Sequence, residues 1–293
     1  MAVSSVLITG TTSGLGRGLL RHYARRQIKV ISVNRRRVPE LEAEYPAVRF
    51  ECVDVRSAAG VDRLVRELAA AGELPDVFLL NAGINRLDND HAFDLAAYRD
   101  VMDTNLFGVL NFVAPLSALP PAGVERHLVA VSSMVKYGGN PYGLGYATSK
   151  AALSACFDTW ARMRGGTELV FQQVVLGPVD TGIYTMPDRF PGWMNRVKKL
   201  SSVSVERAAG AIARFASTRK KTLHYPARAL PLFGALWMAQ QLLPRFLVGR
   251  IAARGRHRLE GPGRGAPQPG QSKAHAGGQA AETVLDRLDQ PDR

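Results

Sequence analysis

Cysteine is scarce in this sequence: its 293 residues contain only Cys52 and Cys156, far apart in the chain. Two separate thiols favour neither a disulfide framework nor a metal site, so we expect both to be reduced and buried, and we expect no metal. The chain also lacks an uninterrupted run of about 18 apolar residues, which argues against a transmembrane span. Its first residues, MAVSSVLITG, lack the basic segment and long apolar core of a signal peptide, which predicts a cytoplasmic protein.

Acidic residues are almost absent from one part of the chain. Residues 189–258 contain fifteen Lys or Arg residues and one acid, Glu206, while the whole chain has a net charge of +13. This region could be a solvated surface or could meet anionic lipid, nucleic acid or an acidic substrate. No basic-aromatic recognition motif accompanies the charge, so we expect no nucleic-acid partner. The apolar and basic segment 229–258 predicts peripheral contact with an anionic membrane, with packing on the core or on a partner subunit as the alternative.

Short apolar strands alternate with amphipathic helices over most of the chain. The predicted strands are 5–10, 28–34, 48–55, 75–83, 126–133 and 168–178. Five helices are predicted. Four are 15–26, 94–118, 145–164 and 204–217, the last with Ser204 as its cap, and a further one presents Val61, Leu64, Val65 and Leu68 on one face. This alternation predicts an α/β fold with a Rossmann-type doubly wound parallel sheet in a single domain, residues 1–228. We expect a C-terminal apolar helical extension at 229–254 and a disordered tail at 255–293, where Gly, Pro, Gln and Ala dominate.

A glycine-rich loop, TGTTSGLG at residues 9–16, directly follows the first strand and opens the first helix. Gly10, Gly14 and Gly16 let the backbone turn tightly and approach a ligand closely. The start of the helix supplies free N–H groups and a partial positive charge, which suit a pyrophosphate. The placement at a strand-to-helix junction therefore predicts a dinucleotide site, although the spacing is T-G-x-x-x-G-x-G rather than G-x-G-x-x-G.

Further motifs follow in a fixed order: Asn81-Ala82-Gly83, Asn105, Ser133, and Tyr146 with Lys150. With the glycine loop, they make the chain similar to the compact single-domain branch of the short-chain dehydrogenase/reductase family over roughly residues 4–228. Reduction of a carbonyl needs a proton donor, and a lysine four residues from a tyrosine lies on the same helix face and favours tyrosinate.

The resemblance implies that Tyr146 is the catalytic acid or base and that Lys150 also binds the nicotinamide ribose. It further implies that Ser133 holds the substrate oxygen and that Asn105 holds a water linked to the lysine. Ser132, on the other side of the strand, is predicted to be structural.

The end of the second strand predicts the cofactor. Family members that prefer NAD have an Asp there, whereas this chain has Asn34 followed by Arg35, Arg36 and Arg37. Guanidinium groups suit a phosphate, so NADP is favoured and NAD remains possible. The resemblance implies an adenine contact for Asp54 and a nicotinamide contact for Thr181 in LGPVDTG, where Leu176 replaces the family's proline. The predicted cofactor residues are Gly10, Thr12, Ser13, Gly14, Leu15, Gly16, Asn34, Arg35, Asp54, Val55, Asn81, Ala82, Gly83, Tyr146, Lys150, Gly177, Val179 and Thr181.

Aromatic and apolar side chains follow the motifs that carry the chemistry. We expect Tyr142, Tyr184, Met186 and Trp193 to contact substrate, with core packing as the alternative. Tyr137 is assigned to loop packing, with the substrate mouth as the alternative.

Together these features predict an NADP-dependent oxidoreductase acting on a carbonyl or secondary alcohol, with a lipophilic or acyl-type substrate and reduction favoured. The alternatives are a catalytically silent cofactor-binding regulator and a sugar-nucleotide epimerase. We also expect a homo-oligomer, either a dimer or a tetramer.

Overall fold

The computed structural model describes residues 2–86, 93–137, 143–163, 168–181, 202–231 and 234–235. Within them, seven parallel strands form one sheet in the order β3-β2-β1-β4-β5-β6-β7. The strands are β1 Ser5–Thr9, β2 Lys29–Asn34, β3 Arg49–Cys52, β4 Val77–Leu80, β5 Arg126–Ser133, β6 Leu169–Leu176 and β7 Thr222–Tyr225. The α-helices are α1 Gly14–Ala24, α2 Pro39–Glu44, α3 Ala58–Ala70, α4 Leu95–Met102, α5 Gly108–Ala118, α6 Leu144–Met163 and α7 Val205–Ala216.

Helices cover both faces of the sheet, which explains why the central strands are apolar on both sides. One face packs against α1 and α7, through side chains such as Leu19 and Ile212. The other face packs against α3, α5 and α6, through Leu68, Phe112 and Phe157. The predicted α/β fold with a doubly wound parallel sheet is confirmed.

The order of the strands places a crevice at the carboxyl ends of the central strands. The chain builds β1, β2 and β3 outward in one direction and then returns to add β4 on the other side of β1. Such a switch point separates the loops that leave neighbouring strands, and ligands bind there, beyond the carboxyl ends. The glycine loop after β1 and the Asn81-Ala82-Gly83 segment after β4 both start at this point.

The structure adds details that the hydrophobic pattern did not predict. The helix expected at 94–118 consists of α4, a π-helical turn Asp103–Phe107 and α5. The short α2 and the four-residue edge strand β7 were not predicted. The expected burial of Cys52 is wrong: its side chain is exposed at the end of β3, an edge strand, while Cys156 is half-buried. The predicted cap is confirmed, because Ser204 accepts a hydrogen bond from the Arg207 backbone N–H.

Several predictions fall outside the described residues. These are the substrate residues Tyr142, Tyr184, Met186 and Trp193, the tail 255–293 and most of the extension 229–254. Among the described residues, the search for a helix that is both long and apolar enough to cross a bilayer finds none. Those residues also include no cluster of His, Cys, Asp and Glu that could hold a metal ion.

Candidate functional site

The glycine loop between β1 and α1 is packed so closely that side chains would not fit. A Cβ atom added to Gly16 would lie 1.9 Å from the Gly10 carbonyl oxygen, which no real contact allows. Gly14 has a φ of +53°, and a Cβ there would lie 3.2 Å from the Thr181 side chain. The loop after β6 therefore sits directly against the loop after β1.

The amino terminus of α1 is open to an anion. Ser57, Asp94 and Ser204 cap α3, α4 and α7 through their side chains, but the side chain of Ser13 makes no capping hydrogen bond to α1. The first turn of α1 also contains no acidic residue. Its backbone N–H groups and the positive end of the helix dipole thus remain available to a phosphate. The residues of this cradle fit the pyrophosphate of a dinucleotide.

Two side chains lock the ends of β1 and β4 together beneath the loop. The Asn81 side-chain amide donates to the backbone oxygens of Thr9 and Gly10, at 3.0 and 3.2 Å. The Thr9 hydroxyl accepts from the backbone N–H groups of Asn81 and Ala82, both at 2.9 Å. Asn81 therefore shapes the site by satisfying backbone carbonyl oxygens at the end of β1 and so holding the glycine loop in place.

Asn34 lines the cavity, but its amide is occupied within the protein. Its Oδ1 accepts from the Thr11 backbone N–H at 2.8 Å, and its Nδ2 donates to the hydroxyls of Thr11 and Ser32, both at 3.0 Å. This buried network ties the end of β2 to the glycine loop. Thr11, fully buried, was missed by the sequence reasoning because its neighbours Thr12 and Ser13 lie equally within the glycine motif.

Arginines line the cavity beyond Asn34. Arg35 and Arg36 contact it, and no ion pair joins either to an acid within the ranges that the structure describes. Arg37, by contrast, is held by Glu42 through two hydrogen bonds. Arg56, which the sequence reasoning also missed, lines the same wall and binds the Asp54 carboxylate. Its signal was only its position two residues after Asp54.

Tyr146 and Lys150 face the cavity from the first turns of α6, and both are buried. The Lys150 ammonium donates to the Val131 carbonyl at 2.7 Å and lies 5.7 Å from the centre of the Tyr146 ring. Complete burial lowers the pKa of Lys150 to about 8, because the charged form loses its hydration. The spacing of four residues therefore places both side chains on the face of α6 that borders the cavity.

The residues following β5 complete this part of the site. Ser133, at the end of the strand, lines the cavity, and its hydroxyl accepts a long hydrogen bond of 3.4 Å from the Val135 backbone N–H. Ser132 instead donates to the Lys150 backbone oxygen at 3.1 Å and shares a 2.7 Å hydrogen bond with Ser154. Ser132 also borders the cavity, but its hydroxyl is held by two hydrogen bonds to α6, whereas the Ser133 hydroxyl has no such contact to α6 within the described residues.

Asn105 lies in the π-helical turn behind this pair. Its Oδ1 accepts from the Ile84 backbone N–H at 2.8 Å, and its Nδ2 donates to the Ile84 oxygen at 2.9 Å and the Ser149 hydroxyl at 3.1 Å. Ser149 in turn donates to the Tyr146 backbone oxygen at 2.8 Å. Asn105 therefore connects the loop after β4 to the turn of α6 that carries Tyr146 and Lys150. Sequence reasoning did not identify Ser149.

Tyr137 is directed away from the cavity. Its hydroxyl shares a 2.7 Å hydrogen bond with His224 Nε2, and its ring packs beside Met134, Val175 and Ala229. The packing role expected for Tyr137 matches this geometry, and the tyrosine fixes the segment after Ser133 to β7.

One cavity of about 390 Å³ collects the predicted cofactor residues of the loops after β1, β2, β3, β4 and β6. It is lined by every residue predicted to bind the cofactor and by Ser133, Tyr146 and Lys150, while Asn105 lies behind the wall. The cavity and its open helix terminus have the shape and donor groups that a nicotinamide dinucleotide requires.

The family described as short chain dehydrogenase matches residues 4–188, more than half of the chain. The chain belongs to the short-chain dehydrogenase family. This family consists of nicotinamide-dependent oxidoreductases, and the resemblance inferred from the motifs is confirmed.

Three curated relatives place this short-chain dehydrogenase among oxidoreductases. An uncharacterized oxidoreductase of Myxococcus xanthus is 36% identical over 169 residues, which cover 54% of this chain and 65% of the relative, just under two thirds of its length. The NADPH-dependent pterin aldehyde reductase of Arabidopsis thaliana is 30% identical over 187 residues, covering 60% of this chain and 72% of the relative. Human (Homo sapiens) retinol dehydrogenase 8 is 30% identical over 237 residues, covering 76% and 68%.

A solved structure shares the fold. A short-chain dehydrogenase from Streptomyces avermitilis superimposes with a TM-score of 0.68 at 20% sequence identity, covering 87% of this chain and 99% of that one. The likeness supports the same strand order and helical layers.

Proposed function

We propose that this chain is an NADP-dependent oxidoreductase that transfers a hydride between nicotinamide and a carbonyl or secondary alcohol, with carbonyl reduction favoured. The observation that carries the proposal is the buried Tyr146–Lys150 pair beside Ser133 in the same cavity as the glycine loop. When bound, the nicotinamide supplies or accepts the hydride. Reduction is favoured because cells generally keep the NADP pool reduced. An intact acid/base pair argues against a silent regulator, which would need only the nucleotide site.

The residues of the chain supply the proton and the electrostatic stabilisation. In reduction, Tyr146 donates its phenolic proton to the substrate oxygen as the carbonyl carbon gains a hydrogen, so that the C=O group becomes an alcohol. The Lys150 ammonium stabilises the resulting tyrosinate, which then regains a proton from solvent. The Ser133 hydroxyl donates a hydrogen bond to the developing oxyanion. All three side chains border the same cavity, and the hydrogen bond to the Val131 carbonyl holds the Lys150 ammonium.

The proposed cofactor preference rests on two arginines that form no ion pair with an acid among the residues that the structure describes. Arg35 and Arg36 border the cavity beyond Asn34, where an NAD-selective site would have a carboxylate. Their guanidinium groups suit the 2′-phosphate of NADP, because each can offer two parallel N–H donors. The relative named as an NADPH-dependent reductase supports the same preference.

The substrate class is proposed from the relatives and the sequence, and the assembly from exposed apolar side chains. A relative named as a retinol dehydrogenase supports a lipophilic alcohol or carbonyl. The basic segment 189–199, which contains two arginines and two lysines, supports an acyl-type substrate with an anionic group. Exposed apolar side chains on α4, the π-helical turn and α6 support a homo-oligomer. Among them, Phe107 and Leu144 are each 49% exposed.

Peripheral membrane contact through 229–258 and a cytoplasmic location stay predictions. Co-sedimentation with anionic liposomes tests the membrane contact.

Replacing Tyr146 with Phe tests the proposed chemistry. The variant retains the ring but loses the proton donor, so we expect turnover on lipophilic aldehydes and ketones to fall by about 10²–10⁴-fold. NADPH consumption measured by absorbance reports turnover, and fluorescence titration with NADPH reports binding. Because the ring is kept and the phenolic proton acts in the chemical step, NADPH affinity should fall far less than turnover, even though Tyr146 is also a predicted cofactor contact. A variant with full turnover would contradict the mechanism.

A further inference from the structure

The inference concerns Arg56, which lies two residues after the predicted adenine contact Asp54 and lines the same cavity wall. Arg56 donates to Asp54 from three groups: its backbone N–H to Oδ1 at 3.0 Å, its Nε to both oxygens at 3.0 and 3.1 Å, and its Nη2 to Oδ2 at 2.6 Å. Hydrogen bonds from Arg56 are the main reason that the pKa of the Asp54 carboxyl is held below its ordinary value. The carboxylate is therefore ionised and neutralised by one neighbouring residue.

Arg56 is fixed on its other side as well. Its Nη1 donates to Asp100 Oδ1 at 2.9 Å, and the second oxygen of Asp100 accepts from Arg86 at 2.7 and 3.0 Å. Asp54, Arg56, Asp100 and Arg86 thus form a row of alternating charges that joins the loops after β3 and β4 to α4. A guanidinium held between two carboxylates has little freedom to move toward a ligand.

The cationic groups of the cavity wall are consequently divided into two sets. Arg56 is committed to Asp54 and Asp100, whereas Arg35 and Arg36 have no ion pair with an acid in the described part of the chain. Arg35 is also near enough to Asp54 to help lower the pKa of that carboxyl. If Arg56 were absent, Asp54 would lose its ion-pair partner, and Arg35 is the other cation whose charge acts on this carboxylate.

We propose that Arg56 is a positioning residue that sets the preference for NADP over NAD through Asp54, without touching the 2′-phosphate. By occupying the Asp54 carboxylate, it prevents this charge from pairing with Arg35 and from repelling a phosphate nearby. Arg35 then remains free for the 2′-phosphate, and the wall keeps its positive field. The inference rests on the proposed function, because it assumes that the 2′-phosphate binds on this side of the cavity.

Binding of adenosine fragments tests the proposal without requiring turnover. The dissociation constants of 2′,5′-ADP and 5′-AMP, measured by calorimetry, give a phosphate preference for each variant. Arg56→Gln leaves the wall one charge more negative, so we expect this preference to fall roughly tenfold at low salt and less at high salt. Arg66→Gln is the matched control: Arg66 pairs with Asp62 on the exposed face of α3, outside the cavity, and the preference should stay unchanged.

A double variant separates charge from mere structural support. The double variant Asp54→Asn, Arg56→Gln removes both members of the ion pair and has the same net charge as the wild type. The proposal therefore requires the preference for 2′,5′-ADP over 5′-AMP to return toward the wild-type value. If Arg56 only supported the loop, the double variant would be at least as impaired as the single one. Thermal unfolding of all variants reports whether they fold.

Three results have distinct meanings. An unchanged preference in Arg56→Gln, or no recovery in the double variant, would overturn the role of Arg56 while leaving the proposed oxidoreductase intact. A wild-type protein that binds 5′-AMP as tightly as 2′,5′-ADP would instead contradict the proposed NADP preference. A preference that falls in the single variant and recovers in the double variant supports the inference.

Discussion

At the scale of single residues, the motifs of the sequence located the cavity wall well. Every predicted cofactor residue lines the cavity, because the glycine loop and the strand ends fix where the backbone must go. Sequence reasoning missed the residues that act by holding others, such as Thr11, Arg56 and Ser149. Their roles depend on side-chain contacts across different loops, and no spacing along the chain encodes such contacts. The same contacts show that Asn34, expected as a cofactor residue, also serves to fix the glycine loop.

The proposed catalytic role of Lys150 conflicts with the stability of the fold. The ammonium is fully buried, and its pKa falls from 10.5 to about 8, so the charged form is less stable in the folded protein than in the unfolded chain. This destabilisation is fully present below pH 8, declines between pH 8 and 10.5, and is absent above that window. We therefore expect Lys150→Met to abolish turnover and to raise the free energy of unfolding at pH 7 by about 1–3 kcal/mol.

Urea denaturation at pH 7 and at pH 10 measures the effect of Lys150→Met. The stabilisation should shrink at the higher pH, since the lysine is then largely neutral in the fold. Lys29→Met, at an exposed position on β2, is the control and should change stability little at either pH. A Lys150→Met protein less stable than the wild type at pH 7 would show that the hydrogen bond to Val131 outweighs desolvation.

At the scale of elements, the hydrophobic periodicity predicted six of the seven strands and the helices that cover the sheet. It failed where little apolar area is buried: β7 is a half-buried edge strand of four residues, and α2 has six residues with only Leu41 buried. The π-helical turn Asp103–Phe107 was also missed, because one wider turn inside a continuous helix changes the direction of the side chains without changing the composition. This turn carries Asn105, whose side-chain amide contacts Ser149 on α6.

The link between the π-helical turn and α6 can be tested at Ser149. Ser149→Ala removes the hydrogen bond from Asn105 and the one to the Tyr146 backbone oxygen, and we expect the free energy of unfolding to fall by about 1–2 kcal/mol. Chemical denaturation measures the change. Ser117 provides the control, since its hydroxyl is buried on α5 without a partner among the described residues. Ser117→Ala should be neutral or slightly stabilising, and equal losses in the two variants would contradict a specific role for Ser149.

At the scale of the whole molecule, the fold places the cavity at the carboxyl ends of the strands, away from their amino-terminal ends. Near the amino-terminal ends of the strands, the buried His127 ring contacts Gln172 at 2.9 Å and Glu125 at 2.8 Å, far along β5 from Ser133. The sequence predicted the layer order, because alternating strands and helices allow few other arrangements. It did not predict how copies of the chain associate, since a surface reveals its apolar patches only once the fold is known.

The proposed oligomer depends on the exposed apolar surface around the π-helical turn. Phe107→Glu places a charge there and should convert the assembly to a smaller species, because a buried charge without a partner opposes association. Light scattering after size-exclusion chromatography measures the mass. Val124→Glu is the control: Val124 is similarly exposed but lies just before the amino-terminal end of β5. A wild-type protein that is already monomeric at micromolar concentration would contradict the proposal.

The uncapped start of α1 has a consequence beyond recognition. A helix terminus whose donors await an anion is satisfied less well in the empty protein than in the loaded one, so the proposed cofactor would act as a folding ligand. Its contribution grows with the logarithm of its free concentration, reaching about 2.7 kcal/mol at 100 times the dissociation constant. The lifetime and abundance of this protein in a cell would then follow the local supply of dinucleotide. Metabolic state would thereby control how much enzyme persists as well as how fast it works.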